Sequence, residues 1–210
     1  MIAYKAVYKN MSSSYGNQPV YRTGVTYAFP AATRGMAGFH AAEDPLFCLS
    51  FISPSEGRYF KVELQGEIDP DGCASNGGTT AAAATHITFL EELSVEKMLW
   101  TSLQYRLAWA KSKDHRNTRT LLISNRKGQT VTADGSRSVA VANKANAVAI
   151  AQGCSCVAIA EGPNTRAEAY GNDALAVAYG KDSDLKVGRG AWGLRIDPTA
   201  PAGKQLTIVS

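Results

Sequence analysis

Side chains able to do chemistry crowd together at one place in the first half of the chain, where Gly38-Phe39-His40 is followed by Glu43. A strand carrying His40 beside the aromatic residues Tyr4, Tyr27 and Tyr59 would hold a nicotinamide. The imidazole would grip the ribose, and Glu63 or Glu67 would stabilise the transition state electrostatically. Tyr27, His40 and Glu63 are therefore the catalytic candidates. The plainer reading is that a histidine on a half-buried strand is a satisfied structural residue. His86 and His115 stand alone in the sequence, so no Ser/His/Asp or metal arrangement can be assembled from spacing.

A second chemistry is electrostatic. Lys111, Lys113, Arg116, Arg119, Arg126 and Lys127 fall in one segment with only Asp114 against them, just after Tyr105 and Trp109. Cations beside aromatic rings suit phosphate contacts with base stacking, which makes the segment a candidate nucleic-acid site. An acidic protein surface would be drawn by the same charges, and the bland alternative is a solvated face. Cys48, Cys73, Cys154 and Cys156 show neither CxxC spacing nor the His/Cys pattern of a zinc site, and read as reduced structural thiols. The sequence calls for no cofactor.

These residues must be positioned by elements. In residues 1 to 88, strand-like runs at Ile2 to Tyr8, Val25 to Phe29 and Tyr59 to Leu64 alternate with turn formers, and Glu43-Asp44-Pro45-Leu46 reads as a helix start. That is a small α+β domain, with a turn-rich loop from Asp69 to Thr80. From Ser94 to about Lys111 the spacing becomes helical, with Leu99, Leu103, Leu107 and Ala110 on one stripe, Ser94 as N-cap and Glu96 favourable in the first turn. Residues 89 to 117 are thus a linking helix and basic segment. The opening MIAYKAVYKN has no apolar core of a secretion signal, and no run approaches the ~18 apolar residues of a membrane span.

Residues 118 to 196 repeat with a step of nine. Leu121, Thr130, Val139, Val148, Val157, Arg166, Leu175 and Asp184 form one column. Two positions on stand Ile123, Thr132, Val141, Ile150, Ile159, Glu168 and Val177, with alanines between. Gly135, Gly153, Gly162, Gly171 and Gly180 mark a turn. A four-residue strand and a five-residue turn cannot bury a face alone, so the pattern predicts a parallel β-solenoid or β-roll whose coils stack on one another. Residues 197 to 210, with Trp192 to Ile196 before them, are candidates for its cap.

Alternation forces one set of columns inward and the other outward. Ordinary burial habit puts Val and Ile inside. If the alanines are inside instead, an apolar stripe is left that needs a partner, and Val139, Val141, Val148, Ile150, Val157, Ile159, Leu175 and Val177 then include a dimer or trimer interface. The repeat region is nearly neutral, which argues against mimicry of DNA charge. The turn column Asn146, Ser155, Asn164, Asp173, Asp182 offers only two carboxylates, too few for a calcium-binding roll.

The segments SVAVA, AVAIA, CVAIA and ALAVAYG resemble the head repeats of trimeric autotransporter adhesins, which implies a β-roll and a trimer. Over nearly the whole chain, AYKAVYKNM, GFHAAEDPL, RYFKVELQGEID and GAWGLRI resemble an uncharacterised domain family of bacteriophages and prophages. That family usually has Cys where Ala42 stands, which removes a thiol from consideration there. The resemblance implies a mobile-element protein in the bacterial host cytoplasm. Together these readings lead to a non-enzymatic interaction protein that binds a host protein, such as a CRISPR-type defence complex. The alternatives are an ADP-ribosyltransferase-like enzyme using NAD and a nucleic-acid-binding module.

Overall fold

Strand β1 (Ile2–Tyr8) is where its alternation places it, with Ala3 and Val7 fully buried. The structure is a computed structural model that describes residues 1–13, 20–32, 37–69, 81–112, 121–202 and 204–210, with the side chains of 110–112 left out. Lys113, Arg116, Arg119, His115, Cys73 and most of the Asp69 to Thr80 loop lie outside the described residues, as does the Lys111 side chain. The chain divides into two compact units, Met1–Ser102 and Leu103–Ser210.

The first unit is built mainly of sheet. After β2 (Thr26–Ala28) and β3 (Phe39–Ala42) come a 3₁₀ helix, Pro45–Ser50, and two long strands, β4 (Gly57–Asp69) and β5 (Ala81–Leu93). β4 pairs with β1 and β5, β5 with β3, and β3 back with β1, so these strands close a ring. Ala3, Val7, Tyr21, Phe39, Phe60, Val62, Leu64, Ile87 and Phe89 fill it. The α+β expectation holds only in part, because helix contributes little. The sequence-based division at residue 88 falls inside β5, a strand whose opening run of four alanines carries no alternation.

Helix α1 (Val95–Ser112) begins as the spacing predicts, with the Lys97 amide donating to Ser94 Oγ at 3.2 Å. Its buried side is partly polar: Ser102 and Arg106 are buried beside Met98, Leu99 and Leu103.

The second unit is a parallel β-solenoid of about four turns. Strands β6 (Leu121–Ser124), β8 (Val139–Ala142), β10 (Val157–Glu161), β12 (Leu175–Tyr179) and β14 (Trp192–Ile196) stack into one sheet. β7 (Thr130–Ala133), β9 (Val148–Ala151), β11 (Arg166–Ala169) and β13 (Asp184–Val187) stack into the other. Val157 pairs with Leu175, 18 positions on, so two nine-residue repeats make one coil and successive repeats alternate between sheets. β15 (Leu206–Val209) runs antiparallel beside β14 and covers that end of the first sheet, where the cap was expected.

The alanines are inside. Ala140, Ala142, Ala149, Ala151, Ala158, Ala160, Ala167, Ala169, Ala176 and Ala178 are all 0% exposed and form the solenoid core. Ordinary burial habit, which favoured Val and Ile, is therefore overturned for the interior. The facing sheets come so close that a methyl group is what fits between them. In the last coil Leu185 and Val187 point inward, and the opposite position is Gly193. A Cβ there would lie 2.7 Å from Val187 Cγ2. At this end glycine makes room for the larger side chains, and at the other end Val131 also packs against the alanine core.

The turns explain two further columns. Arg137, Asn146, Ser155, Asn164, Asp173 and Asp182 all have φ between 54 and 59°, the left-handed region that Asn, Asp and Gly tolerate best. The column read as weakly acidic is thus a conformational one. A Cβ at Gly171 would fall 2.1 Å from the Gly153 carbonyl oxygen, so the turn glycines permit backbone to stack on backbone from coil to coil.

Candidate functional site

Tyr27, His40 and Glu63 are placed on three strands of the first unit and do not converge. Tyr27 pairs with the buried Ile87, and its ring packs edge-on to Tyr21 with centroids 5.2 Å apart, so it faces the core. Glu63 pairs with Thr88 and lies between the buried Val62 and Leu64, so it faces away from the core and accepts from Gln65 Nε2 at 2.8 Å. His40 lies between Phe39 and Ala41, which both enter the core, and it pairs with Ala83. Ala83 and Thr88 are five positions apart on β5, about 17 Å of extended chain. Burial, and then the charge of Lys5, lower the His40 pKa. Lys5 itself is buried: its Nζ donates to the His40 carbonyl at 2.8 Å and lies 5.9 Å from the Tyr21 ring centroid. Glu67, the other carboxylate considered, is exposed, and its amide donates to Thr85 Oγ1 at 3.0 Å.

The rest of the GFHAAEDPL motif is structural. Asp44 Oδ1 accepts from the Leu46 amide at 3.1 Å, capping the 3₁₀ helix, and from Ser102 Oγ at 2.5 Å. Pro45 takes the first helical position, and Leu46 is fully buried. The expected helix start is a single 3₁₀ element of six residues. Cys48, inside it, is buried, and desolvation pushes its thiol up to about 12. Ala42, at the position of the missing thiol, is buried in the sheet beside Tyr4 and Ala81.

On the solenoid, the eight Val, Ile and Leu residues read as one interface are divided between two sheets. Val148 and Ile150 lie on β9; the other six lie on β8, β10 and β12. Val139, Val157 and Leu175 are 0% exposed and Val177 4%, whereas Val141 and Ile159 are half-buried. Ile123, one coil before Val141, is 57% exposed. Within this unit Arg106 Nη1 donates to the Asp173 carbonyl at 2.6 Å, and the Arg137 guanidinium lies 5.5 Å from the Trp109 ring centroid. The helix end therefore meets the solenoid at the junctions where turns enter the strands of the first sheet. Sequence spacing missed Arg106 because a buried cation leaves no apolar stripe to detect.

The outer face of the other sheet carries charge toward its last two strands. Arg166 is 3.4 Å from Glu168, Tyr170 Oη donates to Glu168 at 2.6 Å, and Lys186 Nζ is 5.6 Å from the Tyr170 ring centroid. Of the basic candidates, Arg126 and Lys127 are exposed on the turn between β6 and β7; Lys144, one coil on from Arg126 and not singled out by the sequence, is exposed on the same edge. Cys154 is exposed, and Cys156 is buried with its Sγ 2.7 Å from the Gly135 carbonyl oxygen.

Among the described residues, no three His, Cys, Asp or Glu side chains come together as a metal group, and no helix is long and apolar enough to cross a membrane. No curated protein and no solved structure matches the chain. Residues 1–100 match the family model described as a domain of unknown function, DUF7666, a stretch that ends two positions before the boundary of the first compact unit at Ser102.

Proposed function

We propose that this chain is a non-enzymatic interaction protein of bacteriophage or prophage origin that docks onto a protein complex of the bacterial host cytoplasm, a defence effector of CRISPR type. The observation that carries the docking is the outer face of the first solenoid sheet. Ile123, Val141 and Ile159 stand in register on consecutive coils, the first of them 57% exposed, on a scaffold whose Ala core fixes their spacing. The separation of Tyr27 and Glu63 onto opposite faces takes support away from NAD chemistry. The mobile-element origin rests on the motif resemblance, three of whose four segments lie in the first unit.

Affinity capture by the whole chain from lysate of a bacterium with an active CRISPR system tests the reading. Recovery of effector subunits, lost with Ile159→Glu, is the expected result; capture that contains no defence subunit overturns it. Arg126, Lys127 and Lys144 on one exposed edge favour a second reading, nucleic-acid binding. That reading requires a salt-sensitive mobility shift that disappears when these three are changed to Gln.

A further inference from the structure

The outer face of the second solenoid sheet is matched to itself, row by row, and this points to an occupant. On each strand, the first and third residues face outward while the second and fourth enter the alanine core. β7 presents Thr130 and Thr132, both accessible. β9 presents Val148 and Ile150, both half-buried. β11 presents exposed Arg166, while Glu168 is buried, 3.4 Å from that Arg166 and accepting from Tyr170 Oη; β13 presents Asp184 beside Lys186, both exposed. The rows thus read polar–polar, apolar–apolar, an ion pair closed within the chain, and minus–plus.

We infer that this face binds the same face of a second copy of the chain, about a two-fold axis parallel to the solenoid axis. That operation turns each row end for end against itself, because an isologous contact sets the first position of a strand opposite the third position of the same strand in the copy. Threonine meets threonine and Val148 meets Ile150. Asp184 meets Lys186 of the copy, and the Arg166–Glu168 pair, closed within each chain, meets its counterpart. No row sets like charges against each other under this operation. A two-fold across the strands, between β11 and β13, also matches the charges but carries Val148 and Ile150 past the last strand of this sheet. The apolar row selects the first arrangement.

The stacked strands offer roughly 13 by 19 Å of flat face, about 250 Å², against the ~800 Å² per partner of a stable interface. Self-association is therefore weak, roughly in the 100 µM range, and falls with salt because the Asp184–Lys186 row is ionic.

Sedimentation of the whole chain tests this with a complementary pair. Asp184→Lys makes the last row Lys–Lys, and Lys186→Asp makes it Asp–Asp. Each variant alone should lose self-association at least tenfold, and an equimolar mixture should recover it, while circular dichroism shows both folded. A wild-type chain that stays monomeric to about 1 mM overturns the inference. Self-association unchanged in the two variants, or a mixture that recovers nothing, assigns the face to a different partner and overturns it equally.

Discussion

The His40 imidazole stands on the strand face opposite Phe39 and Ala41, where burial and the Lys5 ammonium hold its pKa below the ordinary 6.5. The unfolded chain therefore binds more protons than the folded one just below that value, so stability is full above about pH 6.5 and falls as pH drops through the interval. Urea unfolding of His40→Gln should show a flatter stability–pH slope below neutrality than wild type; an unchanged slope would assign the dependence elsewhere. The thiols divide by the same physics. Cys48, pushed up to about 12 by burial, and buried Cys156 should resist iodoacetamide in the native chain, whereas exposed Cys154 is alkylated before either of them. Peptide mapping of a time course checks this, and early labelling of Cys48 contradicts it.

At the scale of elements, the turns at Gly153, Gly162, Gly171 and Gly180 each solve two problems with two residues. Gly171 lets one coil's backbone lie on the next, so Gly171→Ala, whose Cβ would sit 2.1 Å from the Gly153 carbonyl oxygen, should cost about 3 kcal/mol or more by chemical denaturation. Ser155 holds φ 55°, strained for a residue with a Cβ, and Ser155→Gly should raise stability by about 1 kcal/mol. In the first unit Asp44 both caps the 3₁₀ helix and accepts from Ser102 of α1. Loss of both bonds in Asp44→Ala should cost about 2 kcal/mol, and Asp44→Asn, which keeps an acceptor oxygen, should cost less. Equal losses in the two variants would show that the charge matters more than the bonds.

For the molecule as a whole, stacking strands creates open sheet edges, and an open edge invites pairing with other chains. β15 covers β14 with the registers Gly193–Val209 and Ile196–Leu206. Deleting residues 204–210 should leave the coils folded but make the chain aggregate, seen as rising light scattering with retained β circular dichroism. A deletion variant that stays dispersed would show that the β14 edge is protected in some other way. The two compact units also carry different signals of kinship: residues 1–100 match a family, while the solenoid is recognised by its period.

The amino-acid sequence by itself determined the nine-residue register, the strand and turn positions within it, α1 with its Ser94 cap, and β1, because these follow from local periodicity and capping chemistry. It did not show that successive repeats go to opposite sheets, since a column that steps by nine looks the same whether a coil holds one strand or two. Nor did it show that alanine lies inside. Transfer from water favours burying Val141 and Ile159, which end half-buried on the outer face, and the answer comes instead from the distance between sheets, which the short turns fix and which leaves room for a methyl group. The dispersal of Tyr27, His40 and Glu63 was illegible for a related reason: the faces of Tyr27 and Glu63 depend on their pairing across β5, where the register shifts between Gln65 and Ile68. Inside and outside belong to the tertiary structure because they are set by what stands on the other side of a strand, and that neighbour is remote in sequence.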